Sequence, residues 1–108
     1  MIDGTGMCLY PGLINAHHHL YQIFTRNLPQ VQNMELFPWL VTLYELWKNI
    51  DSDVIYETSL VGMGELMKNG CTTCFDHHYV FPKGQPDLID TQFHAAEELR
   101  IRMLHEAG

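Results

Sequence analysis

The sequence predicts an α/β protein in which short parallel strands alternate with helices. An apolar run at 13–16 follows Pro11-Gly12 and ends in histidines, which is typical of a strand buried on both faces of a parallel sheet. Further along, a helical pattern ends at Gly70, and a stretch with β-branched residues follows it directly. A strand, a helix and a second strand therefore follow one another along the chain.

The segment after the first strand predicts a short helix at 20–25, a loop at 27–33 around Pro29, and a longer helix at 35–48. Apolar and aromatic side chains recur at helical spacing in the longer helix. Such a stripe favours a core position, and a lid over a pocket is the alternative. Its members are Phe37, Trp39, Leu40, Leu43, Tyr44 and Trp47.

The second half of the chain continues the alternation. Asp51 is predicted to cap the next helix, and Asp53 is favourable in its first turn, where the helix dipole attracts negative charge. Turn and helix signals then predict the remaining elements. These are a strand at 71–76, a loop at 79–86, a helix at 88–99 and a strand at 101–104.

Cys71 and Cys74 form a C-x-x-C pair, for which a redox pair and a zinc knot are alternatives. In a strand, residues three apart lie on opposite faces, which separates the two sulfurs. A redox pair usually opens a helix, whereas this pair follows one. The chain has three cysteines and no secretory signal, so we predict reduced, structural thiols rather than a disulfide framework.

His17 and His19 are the predicted metal ligands. Alternate residues of a strand share a face, so these two imidazoles can converge while His18 points the other way. A solvated loop and a purification tag are alternatives, but the run is internal and directly follows an apolar strand. Because two imidazoles hold a zinc-like ion only loosely, further ligands must come from elsewhere.

The stretch Pro11-Gly12-Leu13-Ile14-Asn15-Ala16-His17-x-His19 resembles the first-strand metal motif of the amidohydrolase superfamily. Three further segments resemble its 8-oxoguanine deaminase branch, whose neighbours include guanine and pterin deaminases and triazine hydrolases. They are His19-Leu20-Tyr21-Gln22, Glu35-Leu36-Phe37-Pro38-Trp39-Leu40, and Gly70-Cys71-Thr72-Thr73 leading into Asp76-His77-His78-Tyr79-Val80-Phe81-Pro82.

The resemblance implies the N-terminal part of a (β/α)₈ TIM-type barrel, with about its first three strands at residues 11–108. Residues 1–10 would be the remnant of a strand from a small preceding β-domain. Complete barrels of this type need about 250 residues, and the chain has 108. We therefore expect a fragment that lacks the family's later metal ligands and is inactive by itself.

The activity implied by the resemblance is metal-dependent hydrolysis of a C–N bond in a purine-like or pterin-like ring. Conversion of 8-oxoguanine to urate and ammonia is the preferred reaction. A triazine aminohydrolase or chlorohydrolase of the same superfamily and a non-catalytic metal-binding module are the alternatives. The expected cofactor is a divalent metal, zinc by preference, although iron accepts the same nitrogen and oxygen ligands.

Gln22 and His78 are the predicted substrate contacts. Gln22 lies three positions after the second metal histidine, where the resemblance implies contact with the base; a surface glutamine is the alternative. His78 belongs to a polar cluster expected just beyond the second strand, and a plain surface role stays open for it. The resemblance implies no metal ligand in that cluster, and His105 is interpreted as structural or solvated.

Composition narrows the partners. Six basic residues against 13 acidic ones give a formal charge of −7, which disfavours nucleic acid. No apolar run reaches the ~20 residues of a membrane span, and no secretory signal is present. We therefore expect a cytoplasmic protein without membrane contact, whose partner is a small heterocyclic substrate and whose parent enzyme is a homo-oligomer.

Overall fold

The computed structural model describes residues 1–107, with Ala107 described by its backbone alone. Over these residues it contains a three-stranded sheet, three α-helices and two 3₁₀ turns. The strands are β1 (Leu13–His18), β2 (Cys71–His78) and β3 (Arg102–Ala107). The helices are α1 (Leu36–Trp47), α2 (Ser52–Lys68) and α3 (Leu88–Leu99), and the 3₁₀ turns are Leu20–Thr25 and Pro29–Val31.

The sheet is parallel throughout, in the order β1-β2-β3. Parallel neighbours require a crossover, which α1 and α2 supply between the first two strands and α3 supplies between the last two. The predicted α/β alternation is therefore confirmed. The C-terminal ends of all three strands lie at one edge of the sheet, where active sites of α/β barrels are built.

The ends of α2 follow from its sequence. The Asp51 carboxylate accepts a hydrogen bond from the Val54 amide at 2.9 Å, which confirms the predicted N-cap. Gly70 follows the helix with a φ of +86°, a conformation that glycine adopts without steric penalty. The predicted helix at 88–99 is also confirmed, with Arg100 in the left-handed conformation directly after it.

Helix α1 supplies part of the core, as its stripe of apolar side chains predicts. Leu43 and Trp47 are fully buried against Tyr21 of the first 3₁₀ turn. The prediction is wrong for Phe37 and Tyr44, which are 77% and 43% exposed. The stripe is wider than the face of α1 that packs on the rest of the chain, so its margins stay in contact with solvent.

The prediction that the first strand is buried on both faces is wrong for this chain. Leu13 and Ile14 in β1 are 59% and 70% exposed. β1 has one neighbouring strand, and the core on the helical side of the sheet forms mainly between β2, α2 and α3. Burial of a parallel strand requires cover on both faces, which the described residues do not provide for β1.

Strands β2 and β3 are longer than the sequence predicts. The sequence predicts that these strands end at residues 76 and 104, yet strand pairing continues past both positions. Asp76 pairs with His105, and His77 pairs with Glu106, in the register of β2 and β3. Asp76-His77-His78 therefore lies inside a strand and not beyond it, because hydrogen bonding between strands is indifferent to side-chain polarity.

Two other predictions concern the first ten residues and the cysteines. Residues 1–10 are exposed and form no strand, and their assignment to a small β-domain stays a prediction. Cys74 is fully buried and Cys71 is half-buried, with no disulfide between described cysteines. Burial raises the pKa of the Cys74 thiol to about 12, as expected for an unreactive structural cysteine. Among the described helices, none has the length and apolar character needed to span a membrane.

Candidate metal site

The structure brings His17 and His19 together at the end of β1. Their Nε2 atoms are 3.1 Å apart, and their rings meet edge to face. Two nitrogens bound at about 2.0–2.1 Å to one tetrahedral ion lie about 3.3 Å apart, so this separation is close to what one metal ion requires. The two imidazoles therefore fit a shared divalent metal.

A backbone carbonyl fixes the tautomer of His19. The Nδ1 atom of His19 is 2.7 Å from the carbonyl oxygen of His77. Because a carbonyl only accepts, Nδ1 carries the proton and donates it, which leaves the lone pair of a neutral His19 on Nε2. Metal-binding histidines in proteins commonly have this arrangement, since it orients the ring and raises its basicity.

His77 also contacts the other imidazole. Its ring stacks on His17 with centroids 4.4 Å apart and planes 27° apart, and its Nδ1 lies 3.0 Å from the Glu106 carboxylate. The sequence predicted neither contact. The contact with Glu106 follows from the pairing of β2 with β3. Residues 77 and 106 are partners in that register, so their side chains lie on the same face of the sheet.

Gln22 lies beside a cavity of about 810 Å³ that the two histidines also line. Its side-chain amide donates to the Tyr79 hydroxyl at 3.3 Å and, at longer range, to the Tyr21 hydroxyl at 3.4 Å. With the nitrogen turned towards these hydroxyls, the carboxamide oxygen is left to accept from a ligand. The apolar part of the cavity lining includes Leu28, Val31, Met34, Leu36 and Trp39.

The cavity has the volume of a small-molecule pocket, and its lining combines polar side chains that can orient a ligand with an apolar part that can contact a planar ring. Leu36 and Trp39 come from the start of α1, which places that end of the aromatic helix at the cavity. The alternative interpretation of the aromatic stripe as a lid therefore has support at this end of α1, whereas Trp47 at the other end is buried in the core.

His78 does not line the cavity. It is fully buried, and its Nε2–H donates to the carbonyl of Val80 at 2.7 Å. Adjacent strand residues point to opposite faces, so His78 lies on the helical side of the sheet while His77 lies on the same side as His17 and His19. Its predicted contact with substrate has no support from this position, and we do not carry it further.

On the helical side, His78 belongs to a cluster with Asp76 and His105. Their ligand-type atoms all lie within 4.8 Å of one another. The interpretation of His105 as structural or solvated did not anticipate that it faces Asp76, where β3 extends past its predicted end. Residues of this kind can hold a metal ion, although a span of up to 4.8 Å is wider than the roughly 3.3 Å expected for ligands of one tetrahedral ion.

The cluster predicts that stability depends on pH. Burial lowers the pKa of both His78 and His105, and the opposing attraction of Asp76 does not overcome it. The unfolded chain then binds protons that the folded chain rejects, so the free energy of unfolding should be highest above about pH 6.5 and fall as the pH decreases below it. Urea unfolding across this range measures how steeply the free energy of unfolding depends on pH.

We expect His78→Asn to make this dependence less steep. Alanine at the exposed His94 is the control and should leave the dependence unchanged. The same dependence in His78→Asn as in the parent chain would contradict the prediction.

Comparison of this sequence with known proteins finds amidohydrolases and their relatives. The sequence model described as the amidohydrolase family matches residues 8–107. The chain is 42% identical over 106 residues to 8-oxoguanine deaminase of Pseudomonas aeruginosa, covering 98% of this chain and 24% of that protein. It is 43% identical over 105 residues to hydroxydechloroatrazine ethylaminohydrolase of Pseudomonas sp. strain ADP, covering 94% and 22%. The chain thus spans about a quarter of the length of these curated relatives.

Solved structures match as well. Triazine hydrolase from Arthrobacter aurescens superposes with a TM-score of 0.83 at 33% identity, over 90% of this chain and 23% of that chain. Atrazine chlorohydrolase from Arthrobacter aurescens, complexed with zinc, gives a TM-score of 0.81 at 32% identity over the same shares. A mutant of that enzyme complexed with zinc and atraton gives 0.79 at 35% identity, over 88% and 22%. The three parallel strands match the N-terminal region of these structures.

Proposed function

This chain belongs to the amidohydrolase family, and from that membership we propose that it forms part of a metal-dependent hydrolytic deaminase. Its substrate would be a purine-like or pterin-like ring, with 8-oxoguanine preferred because of the 42% identity to 8-oxoguanine deaminase. The observation that carries the proposal is the convergence of the His17 and His19 Nε2 atoms at 3.1 Å beside a cavity of small-molecule size.

His17 and His19 would hold the metal, with zinc preferred because related structures contain it and iron as the alternative. When bound, the metal supplies Lewis-acid activation of a water for attack on the ring carbon that carries the amino group. Two histidines leave at least one protein ligand to be supplied by other residues. The share of its relatives that this chain covers, about a quarter, is consistent with that requirement.

Gln22 would orient the ring. Its carboxamide oxygen can accept from a ring N–H while Tyr79 and Tyr21 hold the amide nitrogen in place. The apolar part of the cavity lining, which includes Trp39, would cover the faces of a planar heterocycle and exclude water from them. We do not assign an acid or base to a residue of this chain.

A triazine hydrolase is the second candidate. It is favoured by the 43% identity to hydroxydechloroatrazine ethylaminohydrolase and by the TM-score of 0.83 with triazine hydrolase. Both candidate substrates are flat, nitrogen-rich rings whose edges present donors and acceptors to a carboxamide. The metal histidines and Gln22 serve either ring equally, so a direct comparison of substrates has to separate the two activities.

The proposal is tested by grafting residues 8–107 into the 8-oxoguanine deaminase of Pseudomonas aeruginosa, in place of the aligned segment. We expect the chimera to release ammonia from 8-oxoguanine, and the His17→Ala chimera to release none above background. Guanine, isoxanthopterin and hydroxydechloroatrazine are assayed in parallel, and the 108-residue chain alone is expected to be inactive. A folded, zinc-loaded chimera that hydrolyses none of these substrates would contradict the proposed function.

The same chimera tests Gln22. Replacing Gln22 by alanine should lower kcat/KM by about tenfold or more, since a hydrogen bond lost to a ligand leaves that ligand group unpaired at about 1–3 kcal/mol. Alanine at Gln30, an exposed carboxamide that does not line the cavity, is the matched control and should change kcat/KM little. Equal losses in the two variants would remove Gln22 from the proposed substrate contacts.

A further inference from the structure

We propose that Asp76 is a positioning residue that fixes His19 as a metal ligand by holding the peptide directly after it. The proposal rests on the metal role proposed above for His17 and His19. Asp76 lies on the far side of β2 from these imidazoles and would not itself touch the metal or the substrate.

The contact is direct and buried. The Asp76 Oδ1 atom accepts a hydrogen bond from the backbone amide of Leu20 at 2.7 Å, and Asp76 has no exposed surface. Its Oδ2 atom accepts from the Gln92 side chain at 3.0 Å, and Gln92 is also fully buried. Hydrogen bonds to a carboxylate are stronger than those between neutral groups, and burial protects them from competition with water.

The geometry of β2 explains why this contact acts on His19. The Leu20 amide belongs to the peptide bond that His19 begins, and that peptide is planar. Asp76 therefore holds the backbone of His19 from one side of β2. The next residue along the same strand, His77, holds the His19 ring through its carbonyl at 2.7 Å. Two consecutive residues of β2 thus fix the main chain and the side chain of one imidazole.

His19 needs this support because it lies outside regular structure. β1 ends at His18, and the following 3₁₀ turn has no side-chain cap at His19. His19 thus has no β-ladder of its own to fix its backbone. The Asp76 carboxylate replaces that missing support from a neighbouring strand whose position is fixed by pairing on both sides.

The neighbours of Asp76 hold it in place. His105 is its register partner on β3, His78 lies two residues further along β2, and both imidazoles share its face of the sheet. Burial lowers the pKa of both histidines, so they face Asp76 as neutral rings. Gln92 from α3 closes the remaining side. The carboxylate is therefore enclosed by groups from β2, β3 and α3, with its two oxygens directed at Leu20 and Gln92.

The experiment measures the zinc affinity of the chimera described above, which supplies the remaining ligands, by competition with a chromophoric chelator. We expect Asp76→Ala to weaken zinc binding by about 10–100-fold, the usual effect of removing a partner that orients a metal ligand. Asp76→Asn should stay within about threefold of the parent, because its oxygen still accepts from Leu20 and its amide can donate to the unpartnered Gln92 oxygen. Asp76→Glu keeps the charge and displaces the oxygens, and should weaken binding by about tenfold.

Two results would overturn the proposal while leaving the proposed metal site intact. One is a folded Asp76→Ala or Asp76→Glu variant that binds zinc as the parent does. The other is equal weakening in Asp76→Asn and Asp76→Ala, which would assign the effect to charge. NMR of the 108-residue chain tests the contact without any substitution. The measured quantity is the scalar coupling across the hydrogen bond, between the Leu20 amide nitrogen and the Asp76 carboxyl carbon. Absence of that coupling would also overturn it.

The metal site itself is tested separately. If the parent chimera binds no zinc, the proposed function fails before Asp76 is examined. If a His17→Ala, His19→Ala double variant still binds one zinc and loses it on replacement of His78 and His105, the cluster around Asp76 is a metal site and the positioning role is overturned. Zinc binding that requires His17 and His19, with the expected order of Asp76 variants, supports both proposals.

Discussion

Replacing His19 by alanine in the chimera is expected to weaken its zinc binding more than any other single change proposed here. The substitution deletes one of the two converging Nε2 atoms and the donor to the His77 carbonyl. Since loss of an outer partner already costs about 10–100-fold in metal affinity, loss of a ligand should cost more than about 100-fold. Competition with a chromophoric chelator measures the change.

The matched control is His94→Ala. His94 lies on the exposed face of α3, stacked on Tyr56, and is far in sequence from both metal histidines. Its removal should leave zinc affinity unchanged. If His19→Ala and His94→Ala weaken zinc binding equally, zinc is bound nonspecifically by surface histidines. The end of β1 is then not the binding site.

The largest expected effect on stability follows replacement of Trp47 by alanine. Trp47 is fully buried, its ring meets those of Tyr21, Trp39 and Tyr44, and its indole N–H donates to the Thr25 hydroxyl at 3.0 Å. Such large-to-small changes cost about 3–5 kcal/mol. Against a total stability of about 5–15 kcal/mol for ordinary domains, this loss is a large fraction of the free energy of unfolding. Urea denaturation followed by circular dichroism measures the free energy of unfolding.

Phe37→Ala provides the control on the same helix. Phe37 is another aromatic residue of α1 but is 77% exposed, so its removal should change the free energy of unfolding by less than about 0.5 kcal/mol. A similar loss at the two positions would mean that α1 is not packed through the Trp47 face. That result would also remove the wall that Trp39 contributes to the cavity.

The sequence predicts much of this fold because its local signals are strong. The helix at 88–99 and the cap at Asp51 follow from residues that lie next to each other along the chain. The exposure of Leu13 and Ile14 does not, because burial depends on what covers a strand and not on how apolar the strand is. The same reasoning applies to Phe37, whose helical spacing is correct and whose side chain has no partner surface.

The candidate site divides in the same way. The convergence of His17 and His19 was predictable, because residues at i and i+2 of a strand lie on the same face. The contributions of His77 and Asp76 were not, because they depend on the register between strands that are more than fifty residues apart in sequence. The predicted end of β2 near residue 76 left both residues outside the strand pairing that positions them.

The support of His19 by β2 has a consequence for how the chain folds. The hydrogen bond from the His19 ring joins residues that are 58 positions apart. The imidazole pair therefore reaches its final geometry only after this long loop has closed and the first two strands have docked, a step that is slow compared with helix formation. Zinc added to a refolding chain would then be captured late, and the rate of its capture would report the docking of the strands.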